Sequence, residues 1–188
     1  MKDSWWSRHL GPYHDGGWES IALWSPGGSI YEQTSRGSAF GPTEALRGCD
    51  YMPWLLTQFP CEKSRVRFMR LKPGGHIFRH SDPIESISDD LVRLHVPVTT
   101  NERVRFVINE TLLTMKPGEL WTVDVRFPHE VTNDGDTSRV HLVVDVLRNA
   151  AMDELLTESH SIGSAYLTGY FIRQSVPRRL AHAFSRAR

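Results

Sequence analysis

The sequence is poor in what marks secreted, membrane-spanning or nucleic-acid-binding chains. It has two cysteines, Cys49 and Cys61, without a Cys-x-x-Cys spacing, so neither a disulfide framework nor a cysteine zinc site is expected and both read as reduced, packed thiols. No run approaches the ~18 apolar residues of a bilayer span, and residues 1–11 hold Trp5 and Trp6 without a continuous apolar stretch of the secretory kind. The expectation is a cytoplasmic protein with no membrane partner. There is no excess charge of either sign: 22 Lys and Arg balance 22 Asp and Glu, which argues against nucleic acid as a partner. Internal repeats, low-complexity tracts and linkers are missing too.

What is present can pack a core. The 188 residues amount to one domain at the usual ~100–200 residues per domain, and 39% hydrophobic with 10% aromatic residues excludes a disordered chain. Gly11-Pro12, Gly16-Gly17, Pro26-Gly27-Gly28 and Gly41-Pro42 punctuate the first half, so the first forty residues read as turns around short strands. Leu46, Met52, Leu55, Leu56 and Phe59 are spaced for one or two short helices. Short strand-like runs then follow at 66–71, 76–80, 91–98, 104–108, 111–115, 119–125, 129–132 and 139–147. Turn formers such as Lys72-Pro73-Gly74-Gly75 and Asn133-Asp134-Gly135-Asp136 separate them. Such a series of short strands without intervening helices predicts a mainly β domain, an antiparallel sheet closed as a barrel or jelly roll. Residues 1–148 would form that domain with its N-terminal cover. Residues 149–188, helical at 149–160 and 166–188, would be a tail packed on it or extending from it.

Nine histidines point toward chemistry, because neutral imidazole is the commonest ligand for borderline metals. Alternation puts Val92, Leu94, Val96 and Val98 on one face of a strand and Arg93 and His95 on the other; Val140, Leu142, Val144 and Val146 likewise oppose Arg139, His141, Val143 and Asp145. The apolar faces would pack under helices. The other faces line a polar barrel or meet solvent, alternatives that these strands leave open. His80-Ser81-Asp82 favours the barrel when taken with His129. On an extended segment His80 and Asp82 point the same way and can share a metal, and a further histidine 49 residues after the first completes a two-histidine, one-carboxylate face. Three adjacent positions stay open there, as non-haem Fe(II) oxygenases need for a bidentate cosubstrate and O2. Arg139 follows His129 by ten residues across the turn at Asn133 to Asp136. If the two runs form a hairpin with an odd loop, both side chains share a side, and a guanidinium fork can hold a carboxylate beside a metal.

These residues sit in a longer pattern. The run Arg67-Phe68-Met69-Arg70-Leu71-Lys72-Pro73-Gly74-Gly75-His76-Ile77-Phe78-Arg79-His80-Ser81-Asp82, with Arg93-Leu94-His95-Val96-Pro97, Pro117-Gly118-Glu119-Leu120-Trp121, Pro128-His129-Glu130-Val131 and Arg139-Val140-His141-Leu142-Val143-Val144-Asp145, resembles the aspartyl/asparaginyl β-hydroxylase superfamily. The segment His14-Asp15-Gly16-Gly17-Trp18-Glu19-Ser20-Ile21-Ala22-Leu23 also resembles its bacterial branch, which includes proline cis-4-hydroxylase. The likeness covers roughly residues 12–146 and stops before the tail. It implies an Fe(II)- and 2-oxoglutarate-dependent dioxygenase on a double-stranded β-helix, hydroxylating an unactivated C–H of an amino acid with release of succinate and CO2. By similarity His80, Asp82 and His129 would be the catalytic iron ligands and Arg139 would hold the distal carboxylate of 2-oxoglutarate. His95 would lie near the metal-bound end of the cosubstrate, and Arg93 matches a family position near substrate or cosubstrate. Asp82 stands where halogenases of related folds have a small residue, so hydroxylation is expected. A small amino acid or short peptide is the expected substrate; the basic stretch 173–188 reads as a solvated helix face with a frayed end or, alternatively, as a docking surface for a carrier protein presenting a tethered amino acid.

The other candidates have plainer readings. Residues 83–90, with Ser86, Ser88, Asp89 and Asp90, form a lid or an exposed acidic loop. His76 is structural or exposed, His141 is a core histidine or a support for the site, and Trp5, Trp6, Trp24, Trp54 and Trp121 are packing residues. The competing function is a metal-binding, cupin-like barrel without 2-oxoglutarate turnover, acting as a sensor, an isomerase or a cosubstrate-independent dioxygenase. Open metal positions beside a carboxylate clamp favour the oxygenase.

Overall fold

A computed structural model describes residues 2–34, 39–82, 90–157 and 172–175. After a short 3-10 turn at Asp3–Trp5 come β1 (Ser7–Arg8), β2 (Trp18–Pro26) and β3 (Phe40–Pro42), then helices α1 (Glu44–Arg47) and α2 (Met52–Thr57). The strands β4 (Lys63–Leu71), β5 (His76–His80), β6 (Leu91–Thr99), β7 (Val104–Ile108), β8 (Thr111–Leu113), β9 (Glu119–Thr122), β10 (His129–Asn133) and β11 (Arg139–Leu147) follow. Helix α3 (Ala150–Thr157) and β12 (Ile172–Ser175) complete the described chain. Every pairing is antiparallel. One sheet runs β1-β2-β4-β11-β6-β9-β12 with β3 on the side of β2, and the other runs β5-β10-β7-β8. The fold is therefore mainly β, a double-stranded β-helix with two short helices near its N-terminus, as the strand spacing predicts.

Alternation decides what each sheet face meets. Val66, Phe68, Val92, Leu94, Val96, Leu142, Val144 and Val146 turn outward from the larger sheet and pack under Leu46, Met52, Leu55 and Leu56 of the helices and Met152 of α3. Burying each such aliphatic side chain contributes about 1.5–3 kcal/mol. A second cluster gathers Leu71, Ile77, Phe106, Ile108, Trp121 and Val131. Between the two sheets remain the polar faces of β4, β6 and β11. The Lys72-Pro73-Gly74-Gly75 turn joins β4 to β5: Gly75 N–H donates to Lys72 O at 2.9 Å, and Gly74 takes a φ of 73°, which suits glycine after proline. Gly17 presses against it so closely that a Cβ there would lie 2.9 Å from the Gly75 Cα, and this contact draws the N-terminal segment over the barrel mouth.

Three expectations change. The first forty residues contain a nine-residue strand, β2, rather than short ones; Ile21, Ala22 and Leu23 are all buried, so both of its faces are covered and no alternation marks it. His129 and Arg139 do not share a hairpin, because β10 lies in the smaller sheet and β11 in the larger. The buried Asn133 redirects the chain there: its amide donates to Leu71 O at 3.0 Å and Thr137 O at 2.9 Å, while its backbone pairs with Gly74 and Gly75. In the tail, α3 occupies part of the expected helix at 149–160. Within 166–188 only 172–175 are described, and they form a strand, because pairing with Glu119–Thr122 satisfies an otherwise open sheet edge. The rest of the tail, and residues 83–89 of the expected lid, lie outside the described residues. No helix among the described residues is long and apolar enough to cross a membrane. Cys49 and Cys61 are free thiols.

Candidate active site

The pairing of β5 with β10 sets His80 directly opposite His129, with ring centroids 4.3 Å apart. Each Nδ1 faces a backbone carbonyl two residues earlier, Phe78 O at 2.7 Å for His80 and Phe127 O at 3.0 Å for His129. A carbonyl only accepts, so each Nδ1 carries a proton and each Nε2 is the ring nitrogen left for a metal, the arrangement that second partners impose on metal-binding histidines. Asp82 is placed by its own N–H, which donates to Val125 O at 2.9 Å, and its Oδ1 lies 3.6 Å from His80 Nε2. One ligand atom from each of His80, Asp82 and His129 lies within 4.8 Å of the other two, so the three could hold one metal ion.

The electrostatics suit a cation. Burial alone would raise Asp82, but its bond with His80 and the Arg93 and His129 charges outweigh it and hold the carboxyl well below the usual range. Burial lowers His129 to about 4, which leaves it neutral at pH 7. Burial also works against protonation of His80, yet the bonds to Asp82 and to the Phe78 carbonyl prevail and raise it.

Arg93 links this face to a buried carboxylate deeper in the barrel. Its Nη1 donates to Asp82 Oδ2 at 2.6 Å and its Nε to Asp145 Oδ1 at 2.7 Å. Asp145 is fully buried and also meets Arg65 at 2.7 Å and Arg67 at 3.4 Å. The register explains the cluster, since Arg65 on β4 and Arg93 on β6 both stand opposite Asp145 on the intervening β11. Against burial, the three guanidinium groups hold Asp145 far below the ordinary carboxylate range. Arg67 is the least satisfied of the three: its Nε is buried without a hydrogen-bond partner, and burial followed by the neighbouring Arg65 charge lowers it well below its ordinary value. An anion in the barrel would relieve that cost.

Arg139 opens β11 on the same face. It is 3% exposed, lies over the Phe106 ring at 5.8 Å, and pairs with no carboxylate among the described residues. Its Nη2 donates to His141 Nδ1 at 2.9 Å, and its Nε is buried without a partner. Burial lowers it to about 9, which leaves it charged at neutral pH. His95 is buried with its Nε2 likewise unpartnered.

A cavity of about 470 Å³ brings together all six residues singled out from the sequence: His80, Asp82, Arg93, His95, His129 and Arg139. It is also lined by residues that sequence reasoning missed, Arg65 and Arg67 from β4 and His9, Tyr13, Trp18 and Gln33 from the N-terminal cover. Alternation along β4 would have found the arginines, which share a face with Met69. No local signal marks the cover residues, since a fold-back puts Tyr13 flat against His80 at 4.6 Å and His9 against Trp18 at 3.7 Å. His76 stays outside the cavity, bonded to Glu130 at 2.5 Å.

Residues 2–149 match the family model described as Aspartyl/Asparaginyl beta-hydroxylase. The chain is 28% identical over 145 residues to L-proline cis-4-hydroxylase of Rhizobium meliloti (strain 1021), covering 75% of this chain and 51% of that protein. It is 25% identical over 136 residues to human aspartyl/asparaginyl beta-hydroxylase, covering 70% of this chain and 16% of that protein. A solved structure titled as an oxidoreductase of the 2OG-Fe(II) oxygenase family from Burkholderia pseudomallei aligns with a TM-score of 0.48 and 14% identity, over 71% of this chain and 69% of that one. The chain spans about half the length of the bacterial relatives it matches. With the family pattern carried across nearly all of the described barrel, this chain belongs to the aspartyl/asparaginyl β-hydroxylase family.

Proposed function

We propose that the chain is an Fe(II)- and 2-oxoglutarate-dependent dioxygenase that hydroxylates a C–H bond of a small amino acid. One observation carries this reading: a two-histidine, one-carboxylate face and a buried arginine without a carboxylate partner open onto the same cavity. The residues fit the cofactors. The Nε2 atoms of His80 and His129, whose Nδ1 atoms are taken by carbonyls, and an ionised Asp82 suit a divalent metal, and the unpartnered Nε of Arg139 suits a carboxylate. His80, Asp82 and His129 would hold the iron, Arg139 the distal carboxylate of 2-oxoglutarate, and His95 would stand near the metal-bound end. Bound together, Fe(II) and 2-oxoglutarate supply the O2 activation that an unactivated C–H requires, with succinate and CO2 as coproducts.

The protein's part is to position and to exclude water. Arg93 occupies Oδ2 of Asp82 and so leaves Oδ1 as the oxygen that would serve a metal. Arg65 and Arg67 offer positive charge to a substrate carboxylate in the remaining volume, and Tyr13 walls the metal face on the solvent side. The relatives named as proline hydroxylases support a small amino-acid substrate. Residues 1–148 form the catalytic unit on this reading, and residues 149–188 are an accessory tail.

The test measures succinate formation with Fe(II), 2-oxoglutarate and a panel of free and N-capped amino acids. One of them should stimulate turnover above the uncoupled background. Stimulation only by a folded protein or a carrier-loaded aminoacyl group would overturn the small-substrate reading. Absence of 2-oxoglutarate consumption under every condition would leave a metal-binding cupin-like barrel instead.

A further inference from the structure

We propose that His141 is a positioning residue for the cosubstrate arginine, holding the Arg139 guanidinium through a neutral ring nitrogen so that its whole charge remains available to an incoming carboxylate. The inference rests on the 2-oxoglutarate reading of the cavity and deepens it. The barrel holds its arginines in two ways. Arg65, Arg67 and Arg93 all share Asp145, whose negative charge offsets theirs. Arg139 meets an imidazole instead, with Nη2 2.9 Å from His141 Nδ1. Alternation along β11 puts the two side chains on one face, and His141 is 2% exposed, so no water competes for the contact.

The chemistry of the pair dictates the proton. A guanidinium has donors only, so Nδ1 of His141 accepts, and the ring carries its proton on Nε2 and no charge. An imidazolium would have no lone pair for this contact and would repel the arginine. Burial, then the Arg139 and His95 charges, keep His141 well below its ordinary range and so neutral. A carboxylate in its place would bind Arg139 more strongly and cancel much of the field that a ligand carboxylate feels. The same ring nitrogen stands 3.5 Å from His95 Nδ1, on the side away from the unpartnered His95 Nε2. One imidazole thus braces both groups expected at the two ends of the cosubstrate.

Three substitutions separate this role from simple packing. His141→Asn keeps an acceptor near the Nδ1 position, His141→Leu removes it, and His141→Asp gives Arg139 a carboxylate. Calorimetry of 2-oxoglutarate binding without oxygen, with Mn(II) in place of iron, reads affinity apart from turnover, and thermal unfolding without ligand reads stability. His141→Asn should bind within about threefold of the parent protein, His141→Leu about tenfold more weakly, and His141→Asp about a hundredfold more weakly while unfolding no earlier than His141→Leu. In turnover, His141→Leu should raise the KM for 2-oxoglutarate with kcat at saturation within about threefold. Unchanged affinity in His141→Leu and His141→Asp would overturn the inference, and so would an equal loss in His141→Asn and His141→Leu, which would make ring volume the cause. Should the parent protein itself fail to bind 2-oxoglutarate, the proposed function falls and takes this inference with it; a flat variant series on a parent protein that binds overturns the inference alone.

Discussion

Arg93 and Arg139 carry the same charge in the same barrel, and their neighbours give them different work. Arg93 lies between Asp82 and Asp145, so its charge is already balanced and its fork is committed. Arg139 has Phe106 beneath it and His141 beside it, so its fork is open. Arg139→Lys should therefore raise the 2-oxoglutarate concentration needed for half-maximal rate by roughly 10- to 100-fold, because an ammonium makes one contact where a guanidinium makes two, a loss of about 1.5–3 kcal/mol. A shift in amino-acid affinity alone would remove Arg139 from the cosubstrate site. On the proposed function, Asp82→Gly should abolish hydroxylation without producing chlorination in added chloride, since it would remove a metal ligand and free the Arg93 fork at once. Hydroxylation at the parent rate would mean that Asp82 holds no metal. At this scale the sequence was informative where spacing is local: His80 ends β5 and Asp82 follows two residues later, close enough in the chain for their side chains to meet at 3.6 Å. Asp145 was legible only as a face, because its partners Arg65 and Arg93 lie 80 and 52 residues away in the chain.

Elements carry the site only when their ends are held. Helix α1 is four residues long, too short to persist on propensity, and Thr43 caps it: its Oγ1 accepts from Leu46 N–H at 3.3 Å and donates to Ala22 O at 2.9 Å on β2. Thr43→Ala should lower stability by about 1–2 kcal/mol and leave 2-oxoglutarate affinity unchanged, because the cap faces the outer core and not the cavity. Denaturant unfolding reads the first, ligand titration the second, and a loss under 0.5 kcal/mol would show the cap to be redundant. The strands from β5 to β11 were legible because turn residues separate them and, on β6, β7 and β11, one face is apolar. β2 was not, since it is covered on both faces. Nor was the separation of β10 from β11, which depends on Asn133 meeting the β4–β5 turn.

For the whole molecule, the buried histidines set the response to acid. Burial, aided by the Arg67 and His14 charges, lowers His9 to about 3, and burial puts His95 and His141 well below their ordinary value. Unfolded, each would protonate near 6.5, so below that pH the unfolded state binds more protons and folding loses stability as pH falls, by up to about 1.4 kcal/mol per unit for each group. Asp145 and Asp82, held low when folded, add their own loss once the pH falls below about 4. The urea midpoint of the metal-free protein should rise slightly as pH falls from 8 to 7, because His80 is raised when folded, and then fall steeply from about pH 6.5 to pH 5. A midpoint unchanged down to pH 5 would show that these histidines are not held neutral by the fold.

By itself the sequence determined the β class, most strand positions, the outward apolar faces and the pairing of His80 with Asp82, because strand periodicity and turn chemistry act over a few residues. Only the tertiary structure decided that β10 and β11 face each other across the barrel and that three arginines gather on Asp145. It alone placed Tyr13 against His80 and His9 in the cavity wall, and gave Arg139 a neutral partner. Those relations join residues tens of positions apart, and closure of the two sheets around a common interior, which no local pattern encodes, brings them into contact.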